Sequence, residues 1–397
     1  MSKVFVVGVG MTRFEKPGAR EWDYPDMVHE AASLALADAL LTYSDVERAV
    51  AGFVYGETVS GQCALYTLGR TGIPIFNVNN ACSSGSSALL LAHTFVSSGQ
   101  ADCVLAVGFE KMERGSLQQK YPNQASPIEP HLRAMAAQRG WGQAPPAAQL
   151  FGNAGVEHME RFGTTREQFA MVAEKNHRHS VNNPYAQFTD AYSLEEILGA
   201  PMVFDPLTKL QCCPTSEGAA AAVVCSQRFV ERHGLHRTAV EMAGIAMATD
   251  TDETFTSGSC IRVVGAELTR SAGLKAYEQS GLGPEDLDVI ELHDCFSTNE
   301  IITYEALGLC AEGQGGELVA SGATTYGGTW VVNPSGGLLS KGHPLGATGI
   351  AQCAEIAWQL RGLAGARQAD RSRAAMQHNI GLGGAAIVSI YRAVDQP

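Results

Sequence analysis

Charged residues are scarce in this sequence, and basic residues are scarcer than acidic ones. Only 17% of the 397 residues are charged, with 28 lysines and arginines against 41 aspartates and glutamates, for a net charge of -13. Binding nucleic-acid phosphates requires an excess of lysine and arginine, so the composition argues against a general nucleic-acid binder. Hydrophobic residues form 45% of the chain, enough for a large core, and the length predicts two or three domains.

The sequence also lacks long apolar runs and closely spaced cysteine pairs. No stretch is apolar for long enough to span a membrane, and MSKVFVVGVGMTRF is not typical of a secretory leader. Ten cysteines occur without a Cys-x-x-Cys pair, so we expect reduced thiols and no metal site. Cys212 and Cys213 are adjacent and would chelate poorly, and His177 and His179 alone do not indicate zinc. Without a peroxisomal Ser-Lys-Leu terminus, we expect a cytoplasmic location.

Strand-like apolar runs alternate with helical runs and glycine-rich turns, which is typical of layered α/β proteins. The pattern occurs twice, because residues 77–93 and 331–352 both place an asparagine-containing strand end before a Gly/Ser turn that opens a helix. A region rich in Pro, Gln and Gly separates the two sets. We predict an N-terminal half, an inserted loop domain and a C-terminal half, at residues 1–115 with 205–240, at 116–204, and at 241–397.

Cys82 lies in NNACSSGSSALLLAH, at the step from a strand to a helix. Free backbone N–H groups and the helix dipole at such a position favour a thiolate over a thiol. The small residues that follow would let a substrate approach. Cys82 is therefore a candidate nucleophile, and the alternative is a buried structural cysteine.

His343 lies between Gly342 and Pro344 in SKGHPLGATG, a tight turn before a helix. Such a turn has no bulky neighbours and would present the imidazole to open space, whereas a core histidine more often lies within an apolar stretch. A general base with a pKa near neutral is what a thiol nucleophile needs. The internal repeat pairs His343 with Cys82.

Two further segments have candidate chemistry. The glycine-rich NIGLGGAAIV, residues 379–388, enters a strand instead of opening a helix, which argues against a nucleotide loop. It could supply backbone N–H groups to an oxyanion hole, or only allow close packing. In HDCF, His293 and Cys295 lie on the same face of an extended chain, either as a catalytic dyad or as a strand end with a filler cysteine.

These stretches together resemble the thiolase superfamily, and HDCF narrows the resemblance to the sterol carrier protein X type. The matching segments are VFVVGVGMTRF, NNPYAQF, LQCCPTSEGAAAA, VIELHDCFSTNE, NPSGGLLSKGHPLGATG and QHNIGLGGA, which cover nearly the whole chain. The resemblance implies a five-layered αβαβα thiolase fold of two duplicated halves with an inserted loop domain, assembled as a homodimer or homotetramer. Eukaryotic members are often fused to a sterol carrier domain, whereas here we expect a stand-alone thiolase.

The resemblance also implies a reaction. A cysteine takes the acyl group from a 3-ketoacyl-CoA, acetyl-CoA or propionyl-CoA departs, and a second CoA collects the shortened chain. Cys82 matches the nucleophile, and His343 matches its base. His293 and His343 would donate to the thioester oxygen, while the N–H groups of Cys82 and Gly381 would hold the ketone oxygen. Coenzyme A is then a substrate, and no separate cofactor is implied.

One departure from the family concerns the acid. Most thiolases have an acid/base cysteine in a C-terminal Cys-x-Gly motif, but this chain has Asn379, Ile380 and Gly381 there. In the sterol carrier protein X type, the cysteine of HDCF takes that role, which implies Cys295. The missing C-terminal thiol alone would have indicated an inactive relative.

Two other functions fit parts of the sequence. The same fold could condense acyl-CoAs in the synthetic direction, although ketosynthases lack a second catalytic thiol. A non-catalytic acyl-CoA or sterol binder, or an aldolase-type relative, would have lost the nucleophile that is present at Cys82. CoA phosphates require basic contacts, but charges near the insertion are more often a solvated face. These basic residues are Lys111, Arg114, Lys120, Arg133 and Arg139.

Overall fold

The computed structural model describes residues 3–113, 116 and 123–394. The strands are β1 (Val4–Met11), β2 (Arg48–Gly52), β3 (Ile75–Val78), β4 (Cys103–Glu110), β5 (Met202–Phe204), β6 (Leu207–Thr208), β7 (Gly218–Ser226), β8 (Val240–Ala248), β9 (Val289–Glu291), β10 (Val331–Val332), β11 (Ala374–Gly381) and β12 (Ala385–Ala393). The helices are α1 (Tyr24–Asp38), α2 (Ser60–Leu65), α3 (Ser84–Ser97), α4 (Glu129–Arg139), α5 (Pro146–Phe162), α6 (Arg166–Ser180), α7 (Leu194–Gly199), α8 (Gln227–His233), α9 (Asp252–Thr256), α10 (Cys260–Val263), α11 (Ala266–Ser280), α12 (Ser297–Ala306), α13 (Gly315–Ala320), α14 (Gly337–Ser340) and α15 (Leu345–Leu360). Within these described residues, no helix has the length and apolar character needed to cross a membrane.

The main sheet contains the same five-strand unit twice. Across the described part of the chain, its order is β10-β9-β11-β12-β8-β1-β7-β4-β2-β3, and β5 and β6 pair separately. Outward from the antiparallel contact of β1 with β8, the orders β1-β7-β4-β2-β3 and β8-β12-β11-β9-β10 correspond strand for strand. In both units the three outer strands are parallel and the inner pairings are antiparallel. The predicted duplicated α/β architecture is confirmed.

Helices pack on both faces of each five-strand unit, and the two units share the middle helical layer, which makes five layers. α1 packs on the first unit and α11 on the second, while α3 and α15 pack against each other between the two. Val4 and Val6 of β1 belong to the core around α3 and α15, and Phe5 and Val7 belong to the core under α1. Because β1 is buried on both faces, its sequence is a continuous apolar run without polar alternation.

The inserted region is helical where it is described. Helices α4 to α7 lie between β4 and β5, and none of them interrupts the main sheet. α6 packs against α12 and α14, so this region contacts the C-terminal half near HDCF. Residues 114–115 and 117–122, at the predicted start of the insertion, lie outside the described residues. The domain limits at 116, 204 and 240 stay predictions.

The N-termini of α3 and α15 meet at the centre of the molecule because glycines line their contact. A Cβ on Gly85 would lie 2.6 Å from the carbonyl oxygen of Gly346, and one on Gly349 would lie 2.4 Å from the backbone nitrogen of Ser86. A larger residue at either position would push the helices apart. The turn before α3 contains Cys82, and the turn before α15 contains His343. This contact therefore brings the two predicted site residues to the same place.

We expect Gly85→Ala to lower the free energy of unfolding by about 1–3 kcal/mol, because the added methyl group overpacks the contact between α3 and α15. Gly199→Ala is the matched control, since a Cβ at this last residue of α7 meets nothing within 4 Å. Denaturant-induced unfolding of both variants measures the difference. A Gly85→Ala midpoint equal to that of the control would contradict the packing argument.

Candidate active site

Cys82 lies in a sharp turn immediately before α3, where Ala81 has a positive φ of 49°. Burial raises the pKa of the Cys82 thiol to about 12, and the charge of Glu110 adds to the rise. The backbone N–H groups of Leu382 and of Cys82 itself hydrogen-bond the sulfur and lower the pKa, but by less. The prediction that the helix N-terminus favours a thiolate is therefore wrong for the resting site, because desolvation outweighs the local N–H groups. The thiol needs a proton acceptor before it can attack.

His343 has a free proton acceptor directed at the site. Its Nδ1 lies 2.7 Å from the Thr348 hydroxyl, which donates its single proton to the carbonyl oxygen of Pro344 at 2.9 Å. Nδ1 must therefore donate, which leaves Nε2 bare. Nε2 is buried and has no hydrogen-bond partner among the described residues. Burial, followed by the charge of Lys341, lowers the pKa of His343 to about 3, so the ring is neutral.

His293 is the other tautomer, with an accepting Nδ1 and a protonated Nε2. Its Nδ1 accepts a hydrogen bond from the Asn379 side-chain amide at 2.8 Å, so the ring proton lies on Nε2. Burial lowers the pKa of His293 well below its ordinary value, with further contributions from His343 and His378. The rings of His293 and His343 are perpendicular, with centroids 5.1 Å apart. One ring nitrogen of each and the Cys82 sulfur lie within 4.8 Å of one another.

Cys295 is buried two residues after His293. Its carbonyl oxygen accepts a hydrogen bond from the N–H group of Cys213 at 2.9 Å, where the two segments form an antiparallel bridge. Burial raises the pKa of Cys295 well above the ordinary value, and the nearby thiols of Cys213 and Cys82 add smaller increases. Cys295 is therefore a protonated thiol within electrostatic reach of Cys82, and protonated thiols can act as acids.

Gly381 ends β11 directly against the turn that contains Cys82. A Cβ on Gly381 would lie 2.0 Å from the carbonyl oxygen of Asn80 and 2.7 Å from the Ser83 hydroxyl, so only glycine fits. The backbone N–H group that reaches the Cys82 sulfur from this segment belongs to the next residue, Leu382. Leu382 could not be predicted from the sequence, since no side-chain signal marks a backbone donor. An oxyanion role for Gly381 stays a prediction.

Glu110 was also missed. It is the last residue of the apolar strand β4, and its carboxylate oxygens accept backbone N–H groups of Val54 at 3.1 Å, Tyr55 at 2.9 Å and Gly346 at 3.0 Å. Burial raises the pKa of Glu110 to about 7, although these three hydrogen bonds oppose the rise. A carboxylate at the end of an otherwise apolar strand was the available signal. Glu110 joins the first half to the N-terminus of α15.

The donors at the site do not fit a metal ion. Within the described residues, Cys82, His293 and His343 are the group of side chains close enough to share one. The Nε2 proton of His293 prevents that atom from binding a cation, which leaves one sulfur and one nitrogen, whereas protein zinc sites use three or four ligands. His177 and His179 instead hydrogen-bond backbone carbonyl oxygens at 3.2 and 3.0 Å.

The three basic residues near the insertion that lie in the described part of the chain are each ion-paired. Lys111 pairs with the buried Glu217 at 2.7 Å. Arg133 pairs with Glu129 one helical turn away, and Arg139 pairs with Glu160 at 2.6 Å. The remaining candidates, Arg114 and Lys120, lie outside the described residues. Contacts for the CoA phosphates therefore stay unassigned.

Sequence comparison places both halves in one family. Residues 4–228 match the thiolase N-terminal domain, and residues 253–392 match the thiolase C-terminal domain-like family. The chain therefore belongs to the thiolase family. The resemblance inferred from the segments around Cys82, HDCF and GHPLGATG is confirmed, and so is the thiolase fold.

Individual relatives refine the similarity. Sterol carrier protein 2 of Rattus norvegicus is 60% identical over 394 residues, which cover 99% of this chain and 72% of that protein. Acetyl-CoA acetyltransferase of Methanothermobacter thermautotrophicus is 38% identical over 409 residues, covering 98% of this chain and all of that protein, 100%. A solved structure of the Ltp2-ChsH2(DUF35) aldolase superposes with a TM-score of 0.83 at 25% identity and covers 98% of each chain. The similarity to sterol carrier protein 2 agrees with the narrower resemblance to the sterol carrier protein X type.

We expect Glu110→Gln to speed alkylation of Cys82 by iodoacetamide above pH ~7. The pKa of Glu110 is about 7, so its charge is present in that range. Because this charge raises the pKa of Cys82, removing it increases the thiolate fraction. Peptide mapping after timed alkylation measures the rate at each thiol.

Glu157→Gln is the control for this measurement. Glu157 is also buried, and it accepts hydrogen bonds from the Ser259 hydroxyl and the N–H group of Ile261 at 2.7 and 3.2 Å. Its charge raises the pKa of Cys260, so its loss should affect that thiol and leave Cys82 unchanged. An unchanged Cys82 rate in Glu110→Gln would contradict the electrostatic role of Glu110.

Proposed function

We propose that the protein catalyses thiolytic cleavage of 3-ketoacyl-CoA by CoA, giving a shortened acyl-CoA and acetyl-CoA or propionyl-CoA. The supporting observation is that the Cys82 sulfur meets two neutral histidines, one with a bare ring nitrogen and one with an N–H group. A thiol, a base and a hydrogen-bond donor are what acyl transfer requires. The reaction fits β-oxidation of fatty acids or sterol side chains.

In the first step, Nε2 of His343 accepts the Cys82 proton while the sulfur attacks the ketone carbonyl. N–H groups of Cys82 and Gly381 hold the developing oxyanion. The carbon–carbon bond then breaks, the acyl group stays on Cys82, and the electron pair moves onto the departing fragment as an enolate. The enolate oxygen is held by the Nε2–H groups of His293 and the newly protonated His343.

Cys295 supplies the proton that the enolate carbon needs. Its raised pKa keeps the thiol protonated until a strongly basic carbon forms beside it. The resulting thiolate then takes a proton from the second CoA, whose sulfur attacks the acyl-cysteine and releases Cys82. The protonated His343 returns its proton to the Cys82 thiolate, so every group regains its starting state and the cycle requires no cofactor besides CoA as a substrate.

The reverse of these steps is acyl-CoA condensation, and the same groups would serve it. Similarity to an acetyl-CoA acetyltransferase leaves either direction open to experiment. A non-catalytic binder would not need the arrangement around Cys82.

We further propose a cytoplasmic homodimer or homotetramer. Measuring kcat/KM for straight-chain, 2-methyl-branched and sterol-side-chain 3-ketoacyl-CoAs would define the acyl preference.

We expect Cys82→Ala to abolish both acylation and thiolysis, and Cys295→Ala to abolish only the later proton transfer. Mass spectrometry of protein mixed with a 3-ketoacyl-CoA should find an acyl group on Cys82 in Cys295→Ala, while steady-state turnover is severely slowed. Cys310→Ala is the control, because this partly exposed thiol follows α12 away from Cys82. Normal turnover of Cys295→Ala would show that another group is the acid.

We expect His293→Ala to lower kcat by ~10²–10³-fold, the usual cost of losing one oxyanion donor. KM should change little, since the donor acts on charge that develops during the reaction. Steady-state kinetics on one 3-ketoacyl-CoA separates the two constants. A rise in KM alone would indicate that His293 only helps to bind the substrate.

A further inference from the structure

A chain of buried hydrogen bonds leads from the backbone of α15 to His293. It starts at the carbonyl oxygen of Gly349, which can only accept and receives the side-chain amide N–H of Gln377 at 2.6 Å. The Tyr391 hydroxyl donates to the amide oxygen of the same Gln377 at 2.7 Å. The orientation of the Gln377 amide is therefore fixed from both ends.

The second N–H of Gln377 sets the direction of the next bonds. It donates to the Ser86 hydroxyl at 2.8 Å, and Ser86 donates its single proton to the side-chain oxygen of Asn379 at 2.8 Å. The Asn379 oxygen is thereby occupied, and its NH₂ group must face Nδ1 of His293. From Gln377 onward, each group donates toward His293, first Gln377 to Ser86, then Ser86 to Asn379, then Asn379 to the ring.

We propose that Asn379 is a positioning residue that fixes His293 as a neutral donor with its proton on Nε2, and that Ser86 and Gln377 hold Asn379 in the required orientation. The catalytic meaning of this assignment rests on the proposed thiolysis. The tautomer itself does not, because it follows from the hydrogen bonds. Ser86, Gln377 and Asn379 are fully buried at 0% exposure, so water does not compete for these groups.

Close packing around Gly349 keeps these hydrogen-bonded side chains in contact. A Cβ on Gly349 would lie 2.2 Å from the Ser86 hydroxyl and 2.7 Å from the Asn379 side-chain oxygen. Glycine at this position in α15 is therefore needed for the hydroxyl of α3 and the amide of β11 to meet. An independent hydrogen bond to Thr348 fixes His343 in the other tautomer, with its proton on Nδ1. Each histidine thus has its protonation set by its own partner.

The charge state of His293 also depends on the groups around it. Cys82, Cys295 and the three histidines at the site are uncharged at neutral pH, because burial raises the pKa values of the thiols and lowers those of the histidines. Burial raises the pKa of the neighbouring Asp294 to about 7, so this carboxyl group is partly ionised there. An ionised carboxylate next to Nδ1 would change this balance most directly. The titratable groups near His293 are His343, His378, Cys82, Asp294 and Cys295.

The first test measures the tautomer directly in the wild-type protein. NMR of ¹⁵N-histidine-labelled protein should find an unprotonated Nδ1 and a protonated Nε2 for His293, identified by the signals that disappear in His293→Gln. A protonated Nδ1 in the wild type would overturn the proposal. This result is independent of turnover, so an inactive protein with the expected tautomer would count against thiolysis and not against the role of Asn379.

The second test exchanges the Asn379 amide for a carboxylate. Asn379→Asp presents only oxygen to Nδ1, so the proton of the neutral ring moves to Nδ1 and Nε2 becomes bare. Protonation of the Asp–His pair restores the Nε2–H group. The new carboxylate raises the pKa of His293 in the variant. We therefore expect kcat/KM to be near the wild-type value at low pH and to fall ~10²–10³-fold as the pH rises through that pKa.

Asn183→Asp is the matched control. Asn183 is also buried, and its NH₂ group donates to the carbonyl oxygen of Ser335 at 2.8 Å, away from His293. This substitution can reduce stability, but it should add no new alkaline decline in kcat/KM. If Asn379→Asp shows only the uniform loss expected from damaged folding, with its His293 signals unchanged, the positioning role is wrong.

Discussion

The contact between the N-termini of α3 and α15 is the constraint on which the site depends. Gly85 and Gly349 let the two helices meet where no side chain would fit, and each helix belongs to a different half of the duplicated fold. Cys82 and His343 occupy equivalent turns of the two units, so their approach follows from the internal symmetry. Neither half alone contains both the candidate nucleophile Cys82 and the candidate base His343. Duplication therefore creates the candidate site, which the halves share.

A second constraint is the burial of the site, where His293, Cys295 and His343 are buried and Cys82 is partly exposed. Burial raises the pKa values of Cys82 and Cys295 and lowers those of His293 and His343, so each group is neutral at rest. In such surroundings a full charge is costly, and hydrogen bonds instead of charges decide where the protons lie. The proposed acyl transfer agrees with this arrangement, because it moves protons between groups and creates charge only briefly.

The sequence was sufficient for the architecture and for the side chains that project into the site. Cys82 and His343 follow local patterns, a strand-to-helix step and a tight turn, and local patterns are visible in sequence. The orientation of Asn379 depends on Ser86, which is 293 residues away along the chain, and no periodicity indicates such a pair. The raised pKa of Cys82 was missed for a similar reason, since the helix start is a local feature and burial is a tertiary one.

The long separation between Ser86 and Asn379 has a consequence for how the protein is made. Contacts of high sequence separation form late in folding, because a long loop must close before they stabilise anything. During synthesis the strand with Asn379 emerges long after Cys82, so Cys82 lacks its enclosure while the nearly 300 residues between them are translated. Its acidity in that period is that of an ordinary cysteine, about pKa 8.5, and oxidants meet a more reactive sulfur in the nascent chain than in the finished fold.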